Sequence, residues 1–180
     1  MKKTIYLDNA ATTPLDPVVL DAMLPFLKND FGNPSSTHSF GRKTKNAIEI
    51  NRKKIADYIN ADPSEIVFTS GGTEADNMAL RCAVSDLKVS RIITSSIEHH
   101  AVGHTANHLK DSCNIKVDHV KIDPLGHVDL THLEELLQEK IPTIVSLMHA
   151  NNEIGTLLPI SETAKICNQY DHVFFHSDTV

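Results

Sequence analysis

A chain of 180 residues with 41% hydrophobic and 22% charged residues has the composition of an ordinary soluble protein and the length of one domain with a full core. The formal net charge of −6 comes from 17 basic and 23 acidic residues without long blocks of like charge, which argues against nucleic acid as a partner. No apolar run has the length of a membrane span and the first residues lack a secretory signal, so we expect a cytoplasmic protein with no membrane contact.

The cysteines lie far apart and form no C-x-x-C pair. This spacing indicates neither a disulfide framework nor a zinc knuckle. Each cysteine lies within or at the end of a predicted helix, where we expect a small buried hydrophobic residue: Cys82, Cys113 and Cys167.

The first sixty residues are predicted to form one short strand and two helices. The strand covers residues 4–7 and leads into a loop rich in Asn, Thr and Pro. Asp16 is a suitable N-cap, and Pro17 at the first helical position favours a helix over residues 18–27. A second loop follows, and residues 42–59 form a long amphipathic helix.

From residue 62 onward the pattern alternates between strand and helix. Short connections in this order predict a largely parallel sheet with helices on both faces. Thr131 and Glu134 have the spacing of a capping box for the third helix of this series. The predicted strands are residues 66–69, 91–94, 116–121, 143–147 and 173–176. The predicted helices are residues 73–83, 99–110, 130–139 and 161–169.

The stretch TSGGTEADN, residues 69–77, joins a predicted strand to a predicted helix. Gly71 and Gly72 keep side chains away from the first backbone amides of the helix, and Thr73 adds a hydroxyl. Free amides at the positive end of a helix dipole bind phosphate, so we interpret this turn as a phosphate cup. A simpler alternative is a tight connection with no ligand. The Walker pattern and the G-x-G-x-x-G pattern are both absent.

Polar residues follow three further predicted strands. They are residues 98–100, residues 149–153 and Asp178. In an open α/β sheet the ligand lies beyond the carboxyl ends of the strands, so we expect these groups to converge on one crevice. Each also has a simpler interpretation: Asp178 as an N-cap, His99 as a structural histidine and Asn152 as a turn former.

Three histidines are spaced i, i+4 and i+8 along one predicted helix: His100, His104 and His108. Two histidines at this spacing can chelate zinc. No carboxylate or cysteine at ligand spacing completes the set, and a helix face rich in histidine is commonly exposed to solvent. We therefore predict no metal site.

Six segments, in order and spacing, resemble the cysteine desulfurases that serve iron–sulfur cluster assembly. They are YLDNAATTP, FGNPSSTHSFG, EIVFTSGGTEADN, SSIEHHAV, MHANNEIG and HSDTV, and together they span nearly the whole chain. The family belongs to the class V aminotransferases, which depend on pyridoxal 5'-phosphate (PLP). The resemblance implies the α/β type I fold of PLP-dependent transferases, present as a portion of the large domain with a mainly parallel sheet between helices and incomplete at the C-terminus.

The resemblance also implies roles for individual residues. It places the cofactor phosphate on Gly72 and Thr73, and it makes His99 the catalytic histidine that stacks on the pyridine ring and assists proton transfer. Asn152 matches a residue near the phenolic oxygen of the ring. Asp178 matches the aspartate that pairs with the ring nitrogen, and a carboxylate there keeps that nitrogen protonated, as an electron sink requires.

The activity implied by the resemblance is conversion of L-cysteine to L-alanine, with sulfur passed as an enzyme persulfide to an acceptor scaffold protein. The family also implies a homodimer. Two residues that the reaction needs, a Schiff-base lysine and a catalytic cysteine on a mobile loop, match nothing in this sequence. We therefore expect the 180 residues to be an N-terminal portion that is inactive alone.

By the same resemblance, residues 1–15 form an N-terminal segment and loop, residues 16–30 a helix of the small domain, and residues 31–180 the front part of the PLP-binding large domain. Because the family packs C-terminal segments against that helix, the resemblance implies that its apolar side is exposed in this chain. Two alternatives remain open at this point. One is a selenocysteine lyase or another class V aminotransferase, and the other is a non-catalytic subunit or fragment.

Overall fold

The computed structural model describes residues 4–180, which fall into two compact units divided between Phe68 and Thr69. Within the described residues, no helix combines the length and the apolar character needed to cross a membrane.

The first unit contains two helices and a short 3-10 turn. α1 covers Pro17–Lys28 and α2 covers Ser39–Ile59, and the 3-10 turn covers Pro63–Glu65. The predicted cap of α1 is confirmed, because Asp16 Oδ1 accepts a hydrogen bond from the Val18 amide at 2.7 Å.

The apolar side of α1 is exposed, as predicted. Val18 is 77% exposed and Leu27 is 66% exposed. Together with Asn51 these side chains border a groove of about 450 Å³ that also includes Met23 and Phe26. The predicted strand at residues 4–7 is wrong, since the backbone there forms no ladder with any described strand.

The second unit is a four-stranded parallel sheet in the order β2-β1-β3-β4. The strands are β1 Arg91–Thr94, β2 Lys116–His119, β3 Thr143–Ser146 and β4 Val173–His176. The helices are α3 Gly72–Ser85, α4 His100–Cys113, α5 Leu130–Leu137 and α6 Ile160–Cys167. The predicted parallel α/β arrangement is confirmed for these four strands.

Helices cover both faces of the sheet because neighbouring residues of a strand point to opposite sides. Ile92 packs into a core with Leu80 of α3 and Val102 of α4. Ile93 packs into a second core with Leu133 of α5 and Cys167 of α6. The two cores therefore place α3 and α4 on one face and α5 and α6 on the other.

A buried ion pair fixes the amino-terminal end of the sheet. Arg91 is fully buried, and its Nε and Nη2 atoms lie 2.6 Å and 2.5 Å from Asp118 Oδ2. Its Nη1 donates to the Leu136 carbonyl at 2.7 Å. One side chain thus joins β1, β2 and the end of α5, away from the edge where the polar loops gather.

Two local predictions are wrong for physical reasons. Residues 66–69 pair with no strand in the described part of the chain, and Val67 and Phe68 are 58% and 49% exposed. A β-branched run becomes a strand only where a neighbour completes its ladder. The predicted capping box at Thr131 is also absent, because Asp129 caps α5 by accepting from the His132 amide at 3.0 Å.

The cysteine prediction is correct for one residue of three. Cys167 is buried in the core beneath α6, whereas Cys82 and Cys113 are exposed. Cys82 lies on the solvent side of α3, since the neighbouring Leu80 and Ala83 face the core. Cys113 is the last residue of α4.

Candidate functional site

The loops that follow β1, β3 and β4 meet at the carboxyl edge of the sheet. Beyond β3 and β4 the parallel ladder continues, because the Leu147 amide donates to the His176 carbonyl at 3.2 Å and the His149 amide donates to the Asp178 carbonyl at 2.7 Å. The Asn151 side chain donates to the Ile97 carbonyl at 2.9 Å and joins the loop after β3 to the loop after β1. The predicted convergence is thus present for the loops after β1, β3 and β4, whereas the predicted strand before the turn at residues 69–77 does not form.

The amino terminus of α3 forms the predicted turn with free amides. Gly71 is the N-cap residue and provides no side-chain cap, so the first-turn amides of Gly72 and Thr73 have no intrahelical partner. Glu74 folds back and accepts from the amide and hydroxyl of Ser70, each at 2.6 Å. These bonds lower the pKa of the Glu74 carboxyl and brace the turn.

The segment after β4 lies against the first turns of α3. Asp76 Oδ1 lies 3.6 Å from His176 Nε2. A Cβ atom placed on Gly72 would lie 2.7 Å from Val180 Cγ2, so helix and segment are also close at that point. Asp178 lies between these two contacts in the chain, and its Oδ1 accepts from the Val180 amide at 3.1 Å. The segment that carries Asp178 therefore lies beside the predicted phosphate cup at the start of α3.

His99 lies between the cup and the loop after β3. It borders a cavity of about 380 Å³ together with Thr73, and another of about 250 Å³ together with Asn152. Its Nδ1 accepts from the Ala101 amide at 3.2 Å and caps α4, which leaves Nε2 as the free ring nitrogen. The histidine thus has a fixed ring and one available proton-transfer atom.

The two adjacent asparagines of the NNE segment have different positions. Asn151 is buried, and its Oδ1 accepts from the Glu153 and Ile154 amides at 2.8 Å and 3.0 Å. Asn152 is exposed beside His99. Asn151 is therefore the turn former, and Asn152 is the residue available to a ligand.

Two carboxylates lie beside the residues that were given roles: the buried Asp76, and the partly buried Glu98 of the predicted polar segment 98–100. Glu98 accepts from the Ser95 hydroxyl at 2.6 Å and from the Met148 amide at 2.9 Å, and burial raises its pKa to about 7. Burial, followed by the charge of Asp178, raises the pKa of Asp76 to about 6. The i, i+3 spacing of Asp76 from Thr73 was the available signal, since it places both on one side of α3.

Ser146, His176 and Asp76 have the residue types of a hydrolytic triad, but the group has no exposed nucleophile. Ser146 Oγ lies 2.9 Å from His176 Nδ1, and His176 Nε2 faces Asp76. Ser146 is fully buried, so its hydroxyl cannot reach a substrate. The arrangement can orient charge and hold a proton, and it cannot perform acyl transfer.

The histidine face of α4 borders the same cavity as Thr73. The His100 and His104 rings stack with centroids 4.9 Å apart, and both line the 380 Å³ cavity with His108 and Arg81. Within residues 4–180, no group of three or more His, Cys, Asp or Glu side chains has the geometry to hold a metal ion.

Comparison with known proteins identifies relatives over the whole described fold. Residues 5–180 match the family described as aminotransferase class-V. The cysteine desulfurase IscS of Dictyoglomus turgidum is 50% identical over 182 residues, which covers 100% of this chain and 45% of that relative. A mitochondrial cysteine desulfurase of Candida albicans is 44% identical, and the match covers 98% of this chain and 36% of that relative.

Solved structures give the same result. A NifS-like protein superposes with a TM-score of 0.89 at 38% identity, over 96% of this chain and 48% of that one. A structure described as SspA in complex with cysteine gives a TM-score of 0.87 at 37% identity, over 97% and 50% of the two chains. The chain thus spans about half of these solved relatives, and 45% or less of the two curated relatives.

Proposed function

The chain belongs to the aminotransferase class-V family, and from that premise we propose that it is the cofactor-binding N-terminal portion of a PLP-dependent cysteine desulfurase. The observation that carries the proposal is the meeting of four features at one edge of the sheet: the uncapped start of α3, His99, Asn152 and Asp178. Relatives named cysteine desulfurase support the choice of reaction.

The residues present suit PLP. The free amides of Gly72 and Thr73, with the Thr73 hydroxyl, would hold the phosphate. His99 would pack on the ring and move a proton at Nε2, and Asn152 would hydrogen-bond near the phenolic oxygen. Asp178 would pair with the ring nitrogen. Bound PLP supplies an electron sink for carbanion chemistry at the amino acid.

In the whole protein this site would act on L-cysteine, releasing L-alanine and leaving sulfur as a persulfide on a cysteine thiol. We assign neither the Schiff-base lysine nor that thiol to any of the 180 residues. Burial raises the pKa of the Cys167 thiol to about 11, so it is a poor nucleophile. Cys82 and Cys113 are exposed outside the cavities that His99 borders.

We extend the proposal to the oligomeric state, the sulfur acceptor and the cellular location of the protein. A homodimer, a sulfur-acceptor scaffold protein for iron–sulfur cluster assembly and a cytoplasmic location agree with the resemblance of the six sequence motifs. One relative is named as mitochondrial, so the location is open to direct test. The assignment of residues 16–30 to a small domain and residues 31–180 to a large domain also stays a prediction.

The test is to supply the whole protein with PLP and L-cysteine and to measure alanine and protein-bound persulfide. We expect equal amounts of both before an acceptor or reductant is added. Asp178→Asn should lower the rate on the order of 100-fold, because the ring nitrogen loses its anionic partner. Asp171→Asn, on the exposed turn before β4, is the control. Alanine formed from selenocysteine but not from cysteine would contradict the proposed substrate.

A further inference from the structure

Asp76 is a carboxylate of α3 that is only 4% exposed. Its partner is His176, whose Nε2 lies 3.6 Å from Asp76 Oδ1 and whose Nδ1 lies 2.9 Å from Ser146 Oγ. The three side chains connect α3, β4 and β3 within the protein interior. Because the Ser146 hydroxyl can donate to Nδ1, the imidazole can keep its proton on Nε2, facing Asp76.

The backbone places Asp178 on the same side of the sheet as this group. The ladder between β3 and β4 continues through Asp178, and residues two apart in an extended strand point to the same face. His176, Asp178 and Val180 therefore share one face. On that face His176 lies next to Asp76 of α3, and Val180 lies next to Gly72 of α3. Asp178 faces the same first turns of α3 from which Asp76 projects.

A buried carboxylate and a partly buried one that lie close together repel each other unless a cation lies between them. The titratable groups around Asp76 are Asp178 and His176 from the β4 segment, and Glu98 and His99 from the loop before α4. Burial lowers the pKa of His176, so its imidazole is neutral at neutral pH. His176 therefore adds little positive charge, and the two carboxylates favour a cationic ligand group.

Resting on the proposed function, we propose that Asp76, oriented by His176, is a positioning residue for the cofactor: its buried negative charge strengthens the ion pair between Asp178 and the protonated ring nitrogen of PLP. The contribution is electrostatic and acts through Asp178. A charge that acts over several ångströms in a partly dry site changes affinity on the order of tenfold.

The test compares the PLP dissociation constants of the whole protein and its variants at pH 8 and pH 5. Asp76→Asn keeps the shape and removes the charge. We expect about tenfold weaker binding at pH 8 and about twofold at pH 5, because the Asp76 carboxyl of the parent, with a pKa of about 6, is then mostly protonated. Asp76→Glu restores the charge and should recover most of the affinity.

Two further variants complete the design. His176→Gln removes the group that orients Asp76 and should weaken PLP binding severalfold at pH 8, so the proposal stays testable if the asparagine variant does not fold. Asp86→Asn removes an exposed carboxylate at the far end of α3 and should bind PLP like the parent.

A parent protein that binds PLP while Asp76→Asn binds equally well at pH 8 would overturn this inference and leave the proposed function intact. A loss of equal size at both pH values, or one that glutamate does not recover, would also overturn it, since that pattern indicates packing. A parent protein that takes up no PLP would overturn the proposed function and this inference together.

Discussion

Glu98 joins the loops that follow β1 and β3 through one carboxylate. Its two oxygens accept from the Ser95 hydroxyl and the Met148 amide, and this places the next residue, His99, beside the cup. Burial raises the Glu98 pKa from 4.5 to about 7. The folded protein therefore holds this proton more tightly than the unfolded chain does. Its contribution to stability is complete below about pH 4.5 and is lost as the pH rises through about 7.

Glu98→Gln should remove this pH dependence. Glutamine, like the protonated carboxyl, keeps one carbonyl oxygen that can accept from the Met148 amide, so at pH 4.5 we expect a loss of only about 1 kcal/mol. Between pH 4.5 and pH 8 the free energy of unfolding of the variant should then rise by up to about 3 kcal/mol relative to the parent, the equivalent of the raised pKa. Urea unfolding across this range measures the difference.

The control is Glu135→Gln, an exposed carboxylate on α5. Its pH curve of stability should have the shape of the parent curve. A Glu98→Gln curve that runs parallel to the parent curve between pH 4.5 and pH 8 would show that the Glu98 carboxyl does not hold its proton as described.

The site residues differ in how far the sequence could predict them. Thr73 and Asp178 were predictable because each belongs to a local pattern with a physical reason, a helix start and a strand end. Asp76 was missed because its i, i+3 spacing from Thr73 places it on the same side of α3 but does not show that its carboxyl is buried. Its burial follows from β4, which is about 100 residues away in the chain.

At the scale of the elements, two glycine turns hold the loops at the carboxyl edge of the sheet. Gly126 has φ +86°, and a Cβ there would collide with Ile154 Cδ1 and Thr156 Oγ1. Gly155 has φ +74°, and no atom lies within 4 Å of its Cβ position. The two positions share a left-handed backbone and differ in the space around it, so they form a matched pair.

Gly155→Ala should cost about 1 kcal/mol, the price of a left-handed alanine. Gly126→Ala should cost more, up to about 2 kcal/mol, because the exposed Ile154 side chain and the Thr156 hydroxyl must also shift. Urea unfolding of both variants at one pH measures the difference. Equal losses would mean that the space around Gly126 relaxes freely and that the turn does not pack against the 154–156 loop.

The helices were more predictable than the strands because a helix satisfies its backbone bonds internally. All six α-helices of the described chain were predicted, with ends that lie within three residues of the observed ones. The run at residues 66–69 had the composition of a strand and failed because its ladder depends on a partner that composition does not reveal. The cap of α5 moved to Asp129 because aspartate directly before the helix competes well with a threonine inside it.

At the scale of the whole molecule, two surfaces of the described chain favour association with other molecules: the apolar face of α1 and the free edge of the sheet. The α1 face carries apolar side chains that are 41% to 77% exposed, and such a patch favours association with other surfaces. β4 has one strand neighbour in the described residues and presents a free sheet edge.

The central claim is that the carboxyl edge of this sheet holds PLP, with its phosphate on the start of α3 and its ring nitrogen on Asp178. The most direct measurement is titration of the whole protein with PLP, followed by the visible absorption of the bound cofactor. We predict saturable binding at one site per chain, weakened on the order of tenfold by Thr73→Val and more strongly by Asp178→Asn. Binding that is absent, or that is equal in the parent and both variants, would contradict the account.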